Sequence, residues 1–133
     1  MIEAKTIWTD DDRFVGSATS GHAIVMDAAK DKTANSPMEL VLIALCGCTA
    51  SDVVSILRKK REPFTGLEVR AEAERAAGYP AVYTDIKLTY SVRGSVTQKA
   101  MEDAVRLSQE KYCSVSAMLE KTAKITFSIE YLA

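Results

Sequence analysis

The stretch that decides the fold is SPMELVLIALCGCTASDVVSIL, residues 36–57. It opens as a helix N-terminus does, because Ser36 can cap the helix, Pro37 suits its first position and Glu39 can close a capping box. The pattern predicts a helix of about 24 residues, ~36 Å long at about 1.5 Å per residue. Residues 40–50 are apolar on nearly every side of that helix. We therefore expect a long, buried central helix that a second subunit helps to cover.

Composition and charge narrow the class of protein. The chain has 133 residues, of which 47% are hydrophobic and 26% charged, as expected of a single globular domain spanning residues 1–133. A net charge of −1 offers no electrostatic basis for a nucleic-acid partner. The polar N-terminus argues against a signal peptide, and residues 40–50 are too few for the ~20 apolar residues of a membrane span. Three cysteines are an odd number for a disulfide-stapled secreted protein. We therefore expect a cytoplasmic protein with no membrane partner.

Apolar periodicity gives the order of the elements as βββ-α-ββ-αα-β. Besides the central helix, the predicted strands lie at residues 2–8, 14–18, 22–26, 67–74, 82–92 and 125–132, and the predicted helices at residues 96–112 and 115–123. The first three strands are expected to form an antiparallel meander, and the next two a hairpin. The sequence therefore predicts an α+β domain with two antiparallel sheet portions around the central helix.

The three cysteines raise the question of chemistry. Cys46 and Cys48 are two positions apart on the predicted helix and so point about 200° away from each other, too far apart to hold one metal or close one disulfide. His22 is the only histidine, which leaves few further ligands, so we expect no metal site. Cys113 lies where one helical stripe stops and the next starts; at a helix N-terminus its thiolate would be stabilised. Simple core packing is the alternative for each cysteine, because free cysteine is among the most buried residue types.

Two separated motifs resemble the OsmC/Ohr family. The first is the helix start SPMEL, residues 36–40, with Cys48 eleven residues after Pro37; the second is EKYCSVS, residues 110–116, which contains Cys113. Residues 47–57 and 108–119 resemble most the YhfA-like branch of that family. The resemblance implies an intertwined homodimer whose sites are assembled from both subunits. It also implies that Cys46, on the opposite side of the helix, serves packing.

The resemblance further implies a two-cysteine peroxidase that needs no cofactor. Cys48 would attack an organic hydroperoxide and become a sulfenic acid, and Cys113 would condense with it to a disulfide. An external dithiol, of the lipoyl type in some relatives, would reduce that disulfide. An apolar substrate pocket would be formed by Leu40, Ile43, Ala44 and Met118.

The site departs from the family pattern where a cation should activate the thiol. Family members use an arginine held by a glutamate after the helix-start proline, but this chain has Met38 there, followed by Glu39. His22 stands about where the arginine would be, and Asp52 follows Cys48 by one helical turn. His22, Glu39 and Asp52 are therefore the candidate activating or orienting residues. A second hypothesis stays open: a non-enzymatic dimer that binds an apolar small molecule or acts as a redox sensor.

Overall fold

The computed structural model describes residues 1–133, which fall into two compact units, residues 1–42 and 43–133. The predicted order βββ-α-ββ-αα-β is confirmed, with one short π-helical segment added between the last two helices. The central helix begins in the first unit and ends in the second. The prediction of a single domain is not decided by this division and stays a prediction.

The first unit contains a three-stranded antiparallel sheet in the order β1-β2-β3. Its strands are β1 (Ala4–Asp10), β2 (Arg13–Ala18) and β3 (Ala23–Asp27). The Asp27 carboxylate is buried and accepts hydrogen bonds from the Ala29 and Thr33 backbone N–H groups (2.8 and 2.9 Å) and the Thr33 hydroxyl (2.6 Å). These bonds to the ionised form lower the pKa of Asp27 to about 2. They hold the loop that leads into the central helix.

The central helix α1 (Pro37–Lys59) starts at the predicted capping box. The Glu39 N–H donates to Ser36 Oγ at 3.1 Å, and the Ser36 N–H donates to Glu39 Oε1 at 2.9 Å. The fully buried positions recur at every fourth residue and are Leu45, Thr49, Val53 and Leu57. Burial on all sides is therefore not observed in the single chain: only one stripe is covered, and Ile43 is 51% exposed.

By length and composition alone, α1 is apolar enough to cross a membrane, with a mean hydropathy of 2.2 over its most apolar 18 residues, of which 22% are buried. This corrects the expectation that the apolar stretch is too short to span a membrane. That expectation considered only residues 40–50, a part of the helix. One such helix is weak evidence, since the core helix of a soluble protein passes the same test. The absence of a membrane partner stays a prediction.

The second unit contains the sheet β4-β5-β6, formed by β4 (Phe64–Arg75), β5 (Tyr83–Gly94) and β6 (Lys124–Leu132). The hairpin of β4 and β5 is antiparallel as predicted, but β6 pairs parallel with β5. The prediction of two antiparallel sheet portions is therefore wrong for this edge. The physical reason is the helical crossover between β5 and β6, which returns the chain to the end where β5 began. Ile86, Leu88, Tyr90 and Val92 of the central strand β5 form much of the core.

That crossover contains α2 (Gln98–Leu107), a π-helical segment here called the π-turn (Ser108–Tyr112), and α3 (Ser114–Leu119). The sequence predicted one helix over residues 96–112, but the helix widens after Leu107. The Cys113 N–H donates to the Ser108 carbonyl at 2.7 Å, five residues back, which gives the segment its π-type bonding. Such segments recur at functional sites.

Candidate functional site

The fold brings together two cysteines that are far apart in sequence. Cys48 is half-buried on α1, and Cys113 is only 3% exposed between the π-turn and α3. The Cys48 side chain lies close enough to Cys113 to raise the pKa of its thiol, and neither cysteine forms a disulfide. The pair is therefore a candidate dithiol site within the second unit.

Cys113 lies at the N-cap of α3, where the Ser116 N–H donates to its Sγ at 3.4 Å. Burial nevertheless raises the pKa of the Cys113 thiol to about 11, against the effect of the Ser116 N–H; the neighbouring Cys48 thiol and the charge of Asp52 raise it further. The expected location at a helix N-terminus is confirmed, and the Ser116 N–H does lower the pKa of Cys113 there, but burial has the larger, opposite effect. Burial outweighs one weak N–H contact, so Cys113 is a protonated thiol at neutral pH.

Cys46 has different surroundings from Cys48, as their spacing on one helix predicts. Its thiol is half-buried and in contact with the backbone of Ala71 on β4, and burial raises its pKa. It has a packing environment on the β4 side of α1, whereas Cys48 meets Cys113. The structure groups no three His, Cys, Asp or Glu side chains in an arrangement suited to a metal ion.

A hydrogen-bonded polar network extends from Asp52 on α1 to the start of α3. Its side chains are Asp52, Thr49, Tyr90, Ser108, Gln109 and Ser116, and four of them, Thr49, Tyr90, Ser108 and Ser116, are at most 1% exposed. Ser108 Oγ donates to Asp52 Oδ2 at 2.8 Å. Thr49 Oγ1 lies 2.7 Å from Ser108 Oγ and 2.6 Å from the Tyr90 hydroxyl. No buried side-chain polar atom of this network is therefore without a hydrogen-bond partner.

The carboxylate end fixes the direction of every bond in this part of the network. A hydroxyl has one hydrogen, and that of Ser108 goes to Asp52, so Thr49 must donate to Ser108. Tyr90 must then donate to Thr49, whose oxygen also accepts from Gln109 Nε2 at 3.1 Å. Burial raises the pKa of Tyr90 to about 12, so its hydroxyl keeps the proton that this order needs.

Sequence reasoning identified Asp52 but missed the other members of the polar network. The available signal was Thr49, a polar residue in the stripe that the four-residue spacing of Leu45, Val53 and Leu57 marks as buried. A buried hydroxyl needs a partner, so a second polar group had to face it. Its identity depends on tertiary packing with β5 and the π-turn.

The remaining predicted residues lie in simpler surroundings. His22 is exposed, and its Nδ1 lies 3.3 Å from Ser20 Oγ. Glu39 is engaged in the capping box, and its bonds to Ser36 lower its pKa. Of the predicted pocket residues, Leu40 is half-buried, and Ile43, Ala44 and Met118 are exposed. A role for these residues at the thiol site stays a prediction.

A groove of about 380 Å³ borders the polar network at Asp52. Ile56, Leu107 and Tyr112 give it an apolar wall, and Lys59, seven residues after Asp52 on α1, also lines it. Sequence reasoning did not include this wall, because two of its residues come from the crossover that follows β5. The groove is large enough for a small organic ligand.

The chain is similar to proteins of one family along its whole length. A family model described as OsmC-like protein matches residues 29–128. Protein YhfA of Escherichia coli strain K12 is 44% identical over 133 residues, which cover 99% of each chain. An OsmC-like protein from Mycoplasma pneumoniae superposes with a TM-score of 0.88 at 12% identity, covering 100% of this chain and 98% of that one. An organic hydroperoxide resistance protein from Elizabethkingia anophelis does so with a TM-score of 0.78 at 13% identity, covering 99% of this chain and 96% of that one. At such low identity, these two structures establish a shared fold.

Proposed function

Because this chain belongs to the OsmC-like protein family, we propose that it reduces organic hydroperoxides with the thiols of Cys48 and Cys113. The observation that carries the proposal is that these two cysteines, which come from different elements, are close enough for Cys48 to raise the pKa of the Cys113 thiol. The name of the Elizabethkingia protein of the same fold, organic hydroperoxide resistance protein, supports the substrate class.

The reaction divides into two balanced steps. The Cys48 thiolate attacks the terminal oxygen of the hydroperoxide; the O–O bond breaks, the alkoxide takes a proton and leaves as the alcohol, and Cys48 becomes a sulfenic acid. The Cys113 sulfur then attacks the Cys48 sulfur. A disulfide forms, and the sulfenic oxygen leaves as water with the proton that Cys113 gives up. An external dithiol, of the lipoyl type, reduces the disulfide by thiol exchange.

The environment of Cys113 suits the second step, the attack on the oxidised sulfur of Cys48, better than the first step, the attack on the peroxide. A thiol with a pKa near 11 is a poor nucleophile at neutral pH, so Cys113 is unsuited to the first attack on the peroxide. It does carry the proton that the departing oxygen of Cys48 requires. We propose that Asp52, whose charge raises the pKa of Cys113, accepts that proton transiently during this step. His22 and Glu39 are proposed to act before this step, on the Cys48 thiolate.

The apolar surfaces of the chain support an alkyl substrate and a homodimer as parts of this proposal. The groove beside Asp52 has an apolar wall that suits an alkyl chain. The uncovered apolar side of α1, with Ile43 51% exposed, favours a homodimer in which a second copy covers it. Met118 on α3, 64% exposed, is proposed to complete the apolar part of the site in that dimer. We propose that the active form is this dimer in the cytoplasm.

A thiol count before and after one equivalent of cumene hydroperoxide tests the proposal. We expect the loss of two hydrogen atoms, mapped by mass spectrometry to a peptide pair joined through Cys48 and Cys113. The Cys113→Ser variant should stop at a sulfenic acid on Cys48 that dimedone traps, and Cys46→Ser is the matched control that should behave as wild type. A Cys48→Ser variant that consumes peroxide as fast as the wild type would exclude the mechanism.

One observation favours a second candidate function. Met38 stands where the family has the glutamate that holds its activating arginine, which suggests slow turnover and a redox sensor rather than a peroxidase. Dihydrolipoamide and excess peroxide separate the two: repeated turnover supports the peroxidase, and a single oxidation per chain that persists supports the sensor.

A further inference from the structure

We propose that Gln109 is a positioning residue that holds Cys113 against Cys48, and that its side chain sets how readily the two thiols pair. The inference rests on the proposed function in taking the Cys48–Cys113 disulfide as the reactive product. It assigns the control of that pairing to a residue of the π-turn that touches neither sulfur.

The Gln109 side chain joins three elements of the second unit. Its Nε2 donates to Thr49 Oγ1 on α1 at 3.1 Å and to the Tyr90 hydroxyl on β5 at 3.0 Å. Its Oε1 accepts from Ser116 Oγ on α3 at 2.7 Å. This orientation of the amide follows from the direction of the network. The hydroxyl hydrogens of Thr49 and Tyr90 are already donated to Ser108 and Thr49, so both oxygens can only accept from Gln109, and Nε2 is the atom that has hydrogens to donate.

The contact with Ser116 carries this constraint to the thiol. The same residue that donates its hydroxyl to Gln109 also donates its backbone N–H to Cys113 Sγ, at 3.4 Å. The other side of the π-turn is held by Ser108, whose carbonyl accepts from the Cys113 N–H and whose hydroxyl joins the polar network. Cys113 is thus fixed on both sides, and each side is linked to α1, the helix that carries Cys48. Ser108 gives one link, through Thr49 and Asp52, and Gln109 gives the second, from Ser116 on α3 to Thr49.

The size of the effect follows from the geometry of thiol pairing. A disulfide needs its two sulfur atoms about 2 Å apart with a defined dihedral angle, so small displacements matter. A misplacement of about 1 Å in a reacting pair can cost roughly 100-fold in rate. The same loss of alignment strains the disulfide or the fold that holds it, and so lowers the equilibrium effective concentration of the pair. Loss of the Gln109 clamp should therefore lower the effective concentration of the Cys48–Cys113 pair by about tenfold or more.

The test is equilibration of the full-length protein with glutathione buffers, which needs no peroxide. The two thiols and one oxidised glutathione give the Cys48–Cys113 disulfide and two reduced glutathione molecules, so electrons balance. We expect the equilibrium constant of Gln109→Met to fall at least tenfold, a shift of about 30 mV. Gln98→Met is the matched control, since Gln98 is exposed on α2 and bonds Glu102, and it should match the wild type within about twofold.

A second variant keeps the test decisive if Gln109→Met does not fold. Ser116→Ala removes the same link from the α3 side with a smaller change, and it should give a similar fall. The equilibrium constant of the double variant should be no lower than that of the more strongly affected single variant, because both substitutions break the same link. Folded variants that lose thermal stability but keep the wild-type equilibrium constant would overturn the proposal and leave Gln109 a structural residue. Because peroxide plays no part, the proposed peroxidase function can fail while this result stands.

Discussion

Replacing Thr49 with valine should be among the most destabilising single changes in the second unit, although the two side chains have nearly the same shape. Thr49 is fully buried on α1, and its hydroxyl receives the Tyr90 hydrogen at 2.6 Å. Because the network has a fixed direction from Tyr90 to Asp52, Tyr90 has no other acceptor within it. Valine therefore leaves the Tyr90 O–H buried without a partner, as well as one N–H of Gln109.

The magnitude can be worked out from these losses. An orphaned buried donor costs about 1–3 kcal/mol, and the Gln109 N–H, which is half-buried, costs less because water can reach it. We expect about 3 kcal/mol for Thr49→Val, out of the roughly 5–15 kcal/mol that stabilise a typical domain. Tyr90→Phe should cost only about 1 kcal/mol, because Thr49 still donates to Ser108 and only one N–H of Gln109 is orphaned. Thr49→Ser, which keeps the hydroxyl and loses a methyl group, should also cost about 1 kcal/mol.

Urea unfolding followed by far-ultraviolet circular dichroism measures all three free energies of unfolding at neutral pH. The informative result is the order of the three free energies of unfolding: that of Thr49→Val should be well below those of Thr49→Ser and Tyr90→Phe. If valine is tolerated as well as serine, or if phenylalanine at position 90 costs more than valine at position 49, the deduced direction of the network is wrong.

Three further predictions concern other parts of the chain. With its pKa raised to about 11, the Cys113 thiol should be alkylated by iodoacetamide only slowly at pH 8 and faster as the pH approaches 11; site-resolved mass spectrometry measures this, and half-maximal reactivity below pH 9 would contradict it. Because the folded-state pKa of Asp27 is lowered from 3.8 to about 2, its carboxylate stabilises the fold above about pH 4, and that contribution is lost as the pH falls toward 2; Asp27→Asn should flatten this part of the curve of stability against pH. Gly94→Ala should cost about 3 kcal/mol, since Gly94 has φ of 104° and a Cβ there would lie 2.5 Å from a backbone carbonyl oxygen. Gly78→Ala, with φ of 79° and open space, is the matched control and should cost about 1 kcal/mol in the same unfolding assay.

The features that sequence predicted well are those decided within a few neighbouring residues. The Ser36–Glu39 capping box contains both of its partners within one turn, so its two hydrogen bonds could be predicted directly. The opposed directions of Cys46 and Cys48 follow from helix geometry alone. Both predictions needed no knowledge of the rest of the fold.

The features that the sequence did not predict depend on tertiary packing. The parallel pairing of β6 depends on how the crossover lies across the sheet, which periodicity does not reveal. The high pKa of Cys113 comes chiefly from its burial, which a cap position does not predict. The polar network joins residues such as Thr49 and Gln109, which are sixty positions apart, so only the tertiary structure identifies the partners.

The π-turn also makes the number of residues ahead of Cys113 critical. Its five-residue bonding accommodates one residue more than an α-helical turn would. Because that extra residue is already accommodated, a chain lengthened by one more residue here would continue the helical winding, and everything after it would rotate by about 100°. The thiol would then face another direction even though every side chain around it were retained. Single-residue insertions should therefore be harmless around the exposed Gly78 turn and ruinous between Ser108 and Tyr112.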